Sequence, residues 1–194
     1  MIVDLPHDIQ HQVFDTYKTQ LRQRYESTVH YPLDILRACC GDETDSLLRF
    51  MKSLLQSSKK PHFALVLSGE CSKIISLLLC RIVGDGKYTV GDTRLLGRLN
   101  GSLRDKQLVI IEQTNELRLE HLYKLKEIVS SPTIIIEHRW QNPERFQSLH
   151  HVVLLASPVN DGTHRFVNID CSPTDGLLNL LDHEIIKRLI EYLK

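Results

Sequence analysis

The sequence carries no excess of charge of either sign: 24 Lys+Arg stand against 24 Asp+Glu in 194 residues, and its ten His add little at neutral pH. A zero balance removes the strongest compositional sign of a nucleic-acid binder while leaving room for a local basic edge. Aromatic residues make up only 6%, with a single Trp. The five cysteines, Cys39, Cys40, Cys71, Cys80 and Cys171, are odd in number and form no C-x-x-C pair. Without a secretory pattern at the start, this usage predicts a reducing, intracellular compartment (cytoplasm or nucleus) and no metal. Cys71 and Cys80 lie in apolar surroundings, where free cysteine behaves as a small hydrophobe. No apolar run is long enough to cross a bilayer, so no membrane partner is expected. Repeats and low-complexity tracts are also missing. What remains, 42% hydrophobic and 25% charged, is the composition of a folded domain.

Apolar periodicity divides the chain. From about Pro6 to Tyr25 the residues Ile9, Val13, Phe14, Tyr17 and Leu21 repeat at helical spacing. A loop through His30-Tyr31-Pro32 leads to a short helix, Leu33 to Cys40, that Gly41 stops. Thr44 or Asp45 is placed to cap a third helix with Leu47, Phe50, Met51, Leu54 and Leu55 on one face. Residues 1–60 therefore read as a small N-terminal helical subdomain. After the break at Ser57–Pro61 the pattern changes. His62–Leu67, Gln107–Ile111 and Val152–Ala156 are near-continuous apolar runs, the mark of strands covered on both faces. Shorter strands are expected at Tyr88–Val90, Thr133–Glu137 and Phe166–Ile169, with helices at Lys73–Val83 and Leu117–Val129 between them. Strands alternating with helices predict an α/β fold with a mostly parallel, P-loop-like sheet over residues 61–172. Residues 173–194 are expected to close with a helix, Leu177–Leu193.

The order strand, Gly turn, Lys, helix at Ser68-Gly69-Glu70-Cys71-Ser72-Lys73 is that of a phosphate-binding loop. There, backbone N–H groups at a helix N-terminus face the anion and the ammonium adds charge. The full pattern, G-x-x-x-x-G-K followed by Ser or Thr, is only half kept. The spacer is one residue short, Ser72 replaces the second Gly and Ile74 the magnesium-touching hydroxyl, and Glu70 brings a negative charge. An ordinary strand-to-helix turn with a surface lysine accounts for these residues as well. Glu112 ends the strand Leu108–Ile111, where a P-loop ATPase keeps an acidic residue; a solvated carboxylate reads the same way.

The stretch Leu125-Lys126-Glu127-Ile128-Val129 through Ile134-Ile135-Ile136-Glu137-His138-Arg139-Trp140-Gln141-Asn142-Pro143-Glu144-Arg145-Phe146 resembles superfamily 3 helicases of the poxvirus and phage primase–helicase type. In that family a lysine-bearing hydrophobic helix precedes two strands and a P-x-x-F turn, then an apolar strand ending in Thr-Asn and an Arg-Arg-Phe. Val152–Ser157 and His164-Arg165-Phe166 stand in the last two places. The resemblance implies an AAA+ core, spanning about residues 45 to 172, that assembles as a ring around DNA. It implies that Gly69, Ser72 and Lys73 face phosphate, that Glu112 is the acidic catalytic residue, and that Ser157 is a polar sensor. It also implies that Arg165 acts across a subunit boundary. Lys126, His138 and Arg139 would lie on or near a DNA-gripping hairpin, and Arg145 belongs to the same local basic set. Because Ile74, Ile111, Ser157 and the Gly-poor loop sit where ATP chemistry needs specific groups, ATP and magnesium binding is expected to be weak at most and hydrolysis weakened or lost. The alternative is a catalytically inactive P-loop-like module that binds DNA, a replication protein or another copy of itself. A nucleoside kinase would require an intact loop and an Arg-rich lid, and neither is present.

Two further patterns carry less. His150-His151 are adjacent, and neighbours in a strand face opposite sides, so they do not readily ligate one ion. A hairpin spanning 133–156, turned by Trp140-Gln141-Asn142-Pro143, would bring Trp140 to an edge where it covers the turn or stacks a base.

Overall fold

The computed structural model describes residues 31–56, 60–113, 117–174 and 177–194; the helix expected at Pro6–Tyr25 lies outside them. Helix α1, Tyr31–Cys40, begins with Pro32 in its first turn, where a missing N–H costs nothing, and carries Asp34 at the positive dipole end. It ends at Gly41, whose φ of +56° suits glycine. Helix α2, Thr44–Gln56, buries Leu47, Phe50, Met51 and Leu54 at helical spacing. Thr44 is its first residue instead of a cap, and its Oγ1 donates back to the Gly41 carbonyl at 2.6 Å.

Strand β1, Ala64–Ser68, leads into α3, Ser72–Val83, which closes on Gly84. Strands β2, Tyr88–Gly91, and β3, Leu108–Glu112, are joined through two short 3-10 turns at Thr93–Leu96 and Gly101–Leu103. Helix α4, Leu119–Ser130, is followed by β4, Thr133–Ile136, β5, Glu144–Gln147, β6, His151–Leu155, and β7, Phe166–Asp170. The C-terminal segment is broken in two: a 3-10 turn at Leu177–Leu181, then α5, His183–Leu193. The single helix expected there fails at Asp182, whose carboxylate accepts from the Glu184 N–H and so starts a new helix.

The main sheet has the order β2-β3-β6-β1-β7 and is parallel throughout, which makes the chain an α/β protein. Alternation along each strand sorts the core into two layers. Leu65, Leu67, Leu108, Ile110, Val153 and Ile169 face α1, α2, α3 and α5. Ala64, Val66, Val109, Ile111, Val152 and Leu154 face α4, Ile134 and Ile136. Helices α1 and α2 thus share one apolar layer with α3 and α5. Each fully buried Leu or Phe there is worth roughly 1.5–3 kcal/mol.

The expected 133–156 hairpin is corrected in one respect. Thr133–Ile136 pairs antiparallel with Glu144–Gln147, as a separate two-stranded sheet, and the apolar strand at 151–155 lies in the parallel sheet between β3 and β1. The reason is burial: four of the five residues of β6 are buried, and covering both its faces needs the sheet centre, whereas the polar Glu-Arg-Phe-Gln suits an outer hairpin arm.

Candidate nucleic-acid interface and the Gly69 loop

The parallel order fixes where chemistry can gather. Strand β1 sends its connection over β6 and β3 to β2, while β6 sends its own past β1 to β7, so the chain reverses direction at the β1/β6 pair. In open α/β sheets ligands sit outside the carboxyl ends of the strands at such a point. A shallow concavity of about 550 Å³ opens there, lined by Ser68, Gly69, Lys73, Ser157 and Asp170 among others. Lys73 is exposed on the first turn of α3, and Glu112 ends β3, one strand beyond β6. Arg165 is elsewhere. It precedes β7 at the amino end of the sheet, where its carbonyl accepts from the Ala64 N–H at 2.8 Å and its guanidinium donates to Ser130 Oγ at 3.2 Å.

The loop itself is folded onto β7. Gly69 has φ +83°, and a Cβ there would come within 2.6 Å of the Cys171 carbonyl and 2.7 Å of an Asp170 carboxylate oxygen. The Cys71 N–H donates to the Cys171 carbonyl (3.2 Å), the Ser72 N–H to the Gly69 carbonyl (3.4 Å), and the Ile74 N–H to the Cys71 carbonyl (3.0 Å). The Ser72 hydroxyl also donates to the Gly69 carbonyl, at 2.9 Å. Ser68 Oγ donates to Asp170 at 3.1 Å, which holds that carboxylate at the mouth of the concavity.

The hairpin faces the other way. Ile134 and Ile136 are buried against α4 and the sheet, while Ile135 is half exposed and paired across the strands with exposed Arg145. Its tip carries Arg139 and Trp140 in the open; Trp140 is 94% exposed, at φ +65°. His138 lies at the same end but is half-buried, its ring packed on Gly101, which has no side chain to obstruct it. Lys126 is on α4 and is engaged: its Nζ sits 2.7 Å from Asp161, which is mostly buried. Of the basic residues expected on this surface, Arg139 and Arg145 are exposed on the hairpin, His138 is half-buried and Lys126 is held in an ion pair.

No family model and no curated protein matches the chain. Solved structures do. The fold resembles that of the NrS-1 C-terminal region. An A-form apo structure of that region superimposes with a TM-score of 0.64 at 15% identity, covering 83% of this chain and 43% of that one. A second apo structure gives 0.63 at 16%, covering 82% and 43%. The chain thus spans less than half of these neighbours' length, and the likeness is one of fold.

Two residues that hold the hairpin, Asn100 and Lys60, give no sign of that role in the sequence. Asn100, only 3% exposed, donates to the Ile135 carbonyl (2.9 Å) and accepts from the Glu137 N–H (2.8 Å), acting as an extra rung along β4. Lys60 donates to the Ile128 carbonyl, to the Ser131 carbonyl (2.6 Å) and to Ser148 Oγ (2.7 Å), tying the end of α4 to the base of the hairpin. Burial lowers its ammonium to about 8. His150 continues this base through Ser148 (3.3 Å) and the Leu103 carbonyl (2.9 Å), while His151 turns to the opposite layer, where Ser53 Oγ lies 2.9 Å away. A lone Asn in a polar loop and a Lys before Pro61 give no local signal, because their partners lie 35 and 68 or more residues along the chain.

Proposed function

We propose that this chain is a nucleic-acid-binding replication module of superfamily 3 helicase-like, AAA+ type whose ATPase chemistry is lost. The observation that carries the reading is the hairpin: a rigidly anchored arm, inserted between α4 and β6, with Arg139, Trp140 and Arg145 on its exposed surface. A guanidinium engages a phosphate through charge-assisted hydrogen bonds, and an exposed indole stacks on any base, so the pair suits single-stranded nucleic acid without sequence preference. The fold shared with the NrS-1 C-terminal region is compatible with that reading. The partner is single-stranded DNA, with another copy or a replication protein as the second.

The loss of ATP chemistry is supported by the Gly69 loop. A phosphate cradle needs N–H groups turned outward, and here those of Cys71, Ser72 and Ile74 are bonded to carbonyls of the protein. Asp170 adds a negative charge at the mouth, and Ile74 offers no hydroxyl to magnesium. The residues present do not fit ATP and magnesium.

The single Trp makes the test direct. Titration with a single-stranded oligonucleotide is expected to quench Trp140 fluorescence, with affinity falling as salt rises. An Arg139→Ala, Arg145→Ala double variant is expected to bind about tenfold more weakly or worse, at about 1 kcal/mol or more per lost contact. Unquenched Trp140 together with unchanged affinity in the double variant would remove nucleic acid from the hairpin.

A further inference from the structure

Away from both regions, three thiols converge inside the α1–α2–α3–α5 layer. Cys39 and Cys40 end α1 and Cys171 follows β7; they are 1%, 5% and 0% exposed, and their sulfur atoms all lie within 4.8 Å of one another. The Cys171 thiol donates to the Ile169 carbonyl at 3.9 Å. The backbone is joined at the same place, since the Ser172 N–H donates to the Cys39 carbonyl at 3.0 Å. Packing alone asks for small apolar groups here, and alanine or valine would serve. Three sulfurs brought to one point from segments 131 positions apart are instead the donor set of a soft metal.

We propose that Cys39, Cys40 and Cys171 form a structural zinc site, with Cys71 as fourth ligand. At a Zn–S length of about 2.3 Å, tetrahedral ligands stand roughly 3.8 Å apart, inside the 4.8 Å limit that the three sulfurs already satisfy. Charge favours the divalent ion: four thiolates around Zn²⁺ leave two net negative charges, the same set around Cu⁺ three, and burial penalises the third. Cys71 is buried on the adjoining Gly69 loop and its N–H is bonded to the Cys171 carbonyl, which places it beside the three thiols but outside their 4.8 Å cluster, so its side chain must turn inward to bind. Binding displaces the thiol protons to solvent with no change of oxidation state. The ion would fasten α1, the end of β7 and the Gly69 loop to one another.

The experiment uses the full chain, purified under reducing conditions, stripped with chelator and titrated with Zn²⁺ and, as a coloured substitute, Co²⁺. One equivalent of each is expected to bind, with thiolate-to-cobalt charge-transfer absorption and a Tm rise of about 5–10 °C at a hundredfold excess of Zn²⁺ over Kd. Cys171→Ser is expected to abolish the absorption and Cys71→Ser to weaken uptake at least tenfold, while Cys80→Ser, a buried cysteine outside the cluster, leaves both unchanged. The wild-type cobalt spectrum keeps the test valid if Cys171→Ser does not fold. Absence of uptake by the wild-type chain overturns the site, as does a disulfide formed among these cysteines without metal uptake. Full uptake in Cys71→Ser overturns the fourth ligand.

Discussion

The Gly69 loop and the 133–147 hairpin are built from similar materials, a turn, a few polar residues and a cation, yet they direct their polar groups oppositely. In the loop the N–H groups of Cys71, Ser72 and Ile74 end on protein carbonyls, and Asp170 sits at the mouth. In the hairpin the backbone is satisfied by β4–β5 pairing and by Asn100, which frees the side chains of Arg139, Trp140 and Arg145 to face solvent. The difference teaches that recognition by backbone and recognition by side chain degrade differently. A phosphate cradle is lost once its N–H groups find partners in the protein, however well its lysine is kept. A hairpin surface survives any change that leaves its anchors in place.

The largest expected effect tests how firmly the loop is closed. Gly69→Ala puts a methyl within 2.6 Å of the Cys171 carbonyl at a φ of +83°. It should cost about 2–4 kcal/mol in urea unfolding, since both strain and a backbone shift are forced. A variant as stable as the parent would mean that the loop stands off β7, and the contrast with the hairpin would collapse.

Acid should loosen the sheet just where the hairpin joins it. His151 opens β6, buried beside Phe50 (ring centroids 5.4 Å) and Ser53, and burial depresses its imidazole to about 4 from 6.5. The native state holds it neutral while the unfolded chain takes up a proton below pH 6.5. Its contribution is therefore fully present above pH 6.5 and is lost as pH falls to about 4. The shift corresponds to at most about 3 kcal/mol. Unfolding free energies measured across that window should fall with pH in the parent and less steeply in His151→Phe. Equal slopes would place the acid sensitivity elsewhere.

How much of this was open to sequence reasoning follows from range. The strands β1, β3 and β6 announce themselves because parallel strands covered on both faces are apolar without interruption. The same rule hides β5: Glu144–Gln147 has one apolar residue, Phe146, and is held by pairing to β4 and by Arg104 stacked 5.0 Å above that ring. The Gly69 loop was readable as a damaged pattern, but its closure onto β7 depends on Asp170 and Cys171, about a hundred residues on. The hairpin cations were readable as a local set, whereas the capture of Lys126 by Asp161 was not. Local chemistry shows in sequence; the partner that uses it up does not.

The smallest expected effect is also the one that most sharpens the comparison. Lys73 is exposed on the first turn of α3 and lines the concavity, the position from which a phosphate-loop lysine reaches its anion. Were the cradle functional, removing this charge would abolish nucleotide binding and turnover, because the ammonium and the N–H groups act on the same phosphates. With those N–H groups bonded to protein, the lysine has no cradle to complete and is a solvated surface charge. Lys73→Ala should therefore leave stability within about 0.5 kcal/mol of the parent. It should leave ATP hydrolysis at background in both proteins, and oligonucleotide affinity unchanged at fixed salt. Measured side by side with the Arg139→Ala, Arg145→Ala variant, one cation set should matter and the other should not. ATP turnover in the parent that disappears in Lys73→Ala would reverse that assignment, because it would require the loop to open and turn its N–H groups outward.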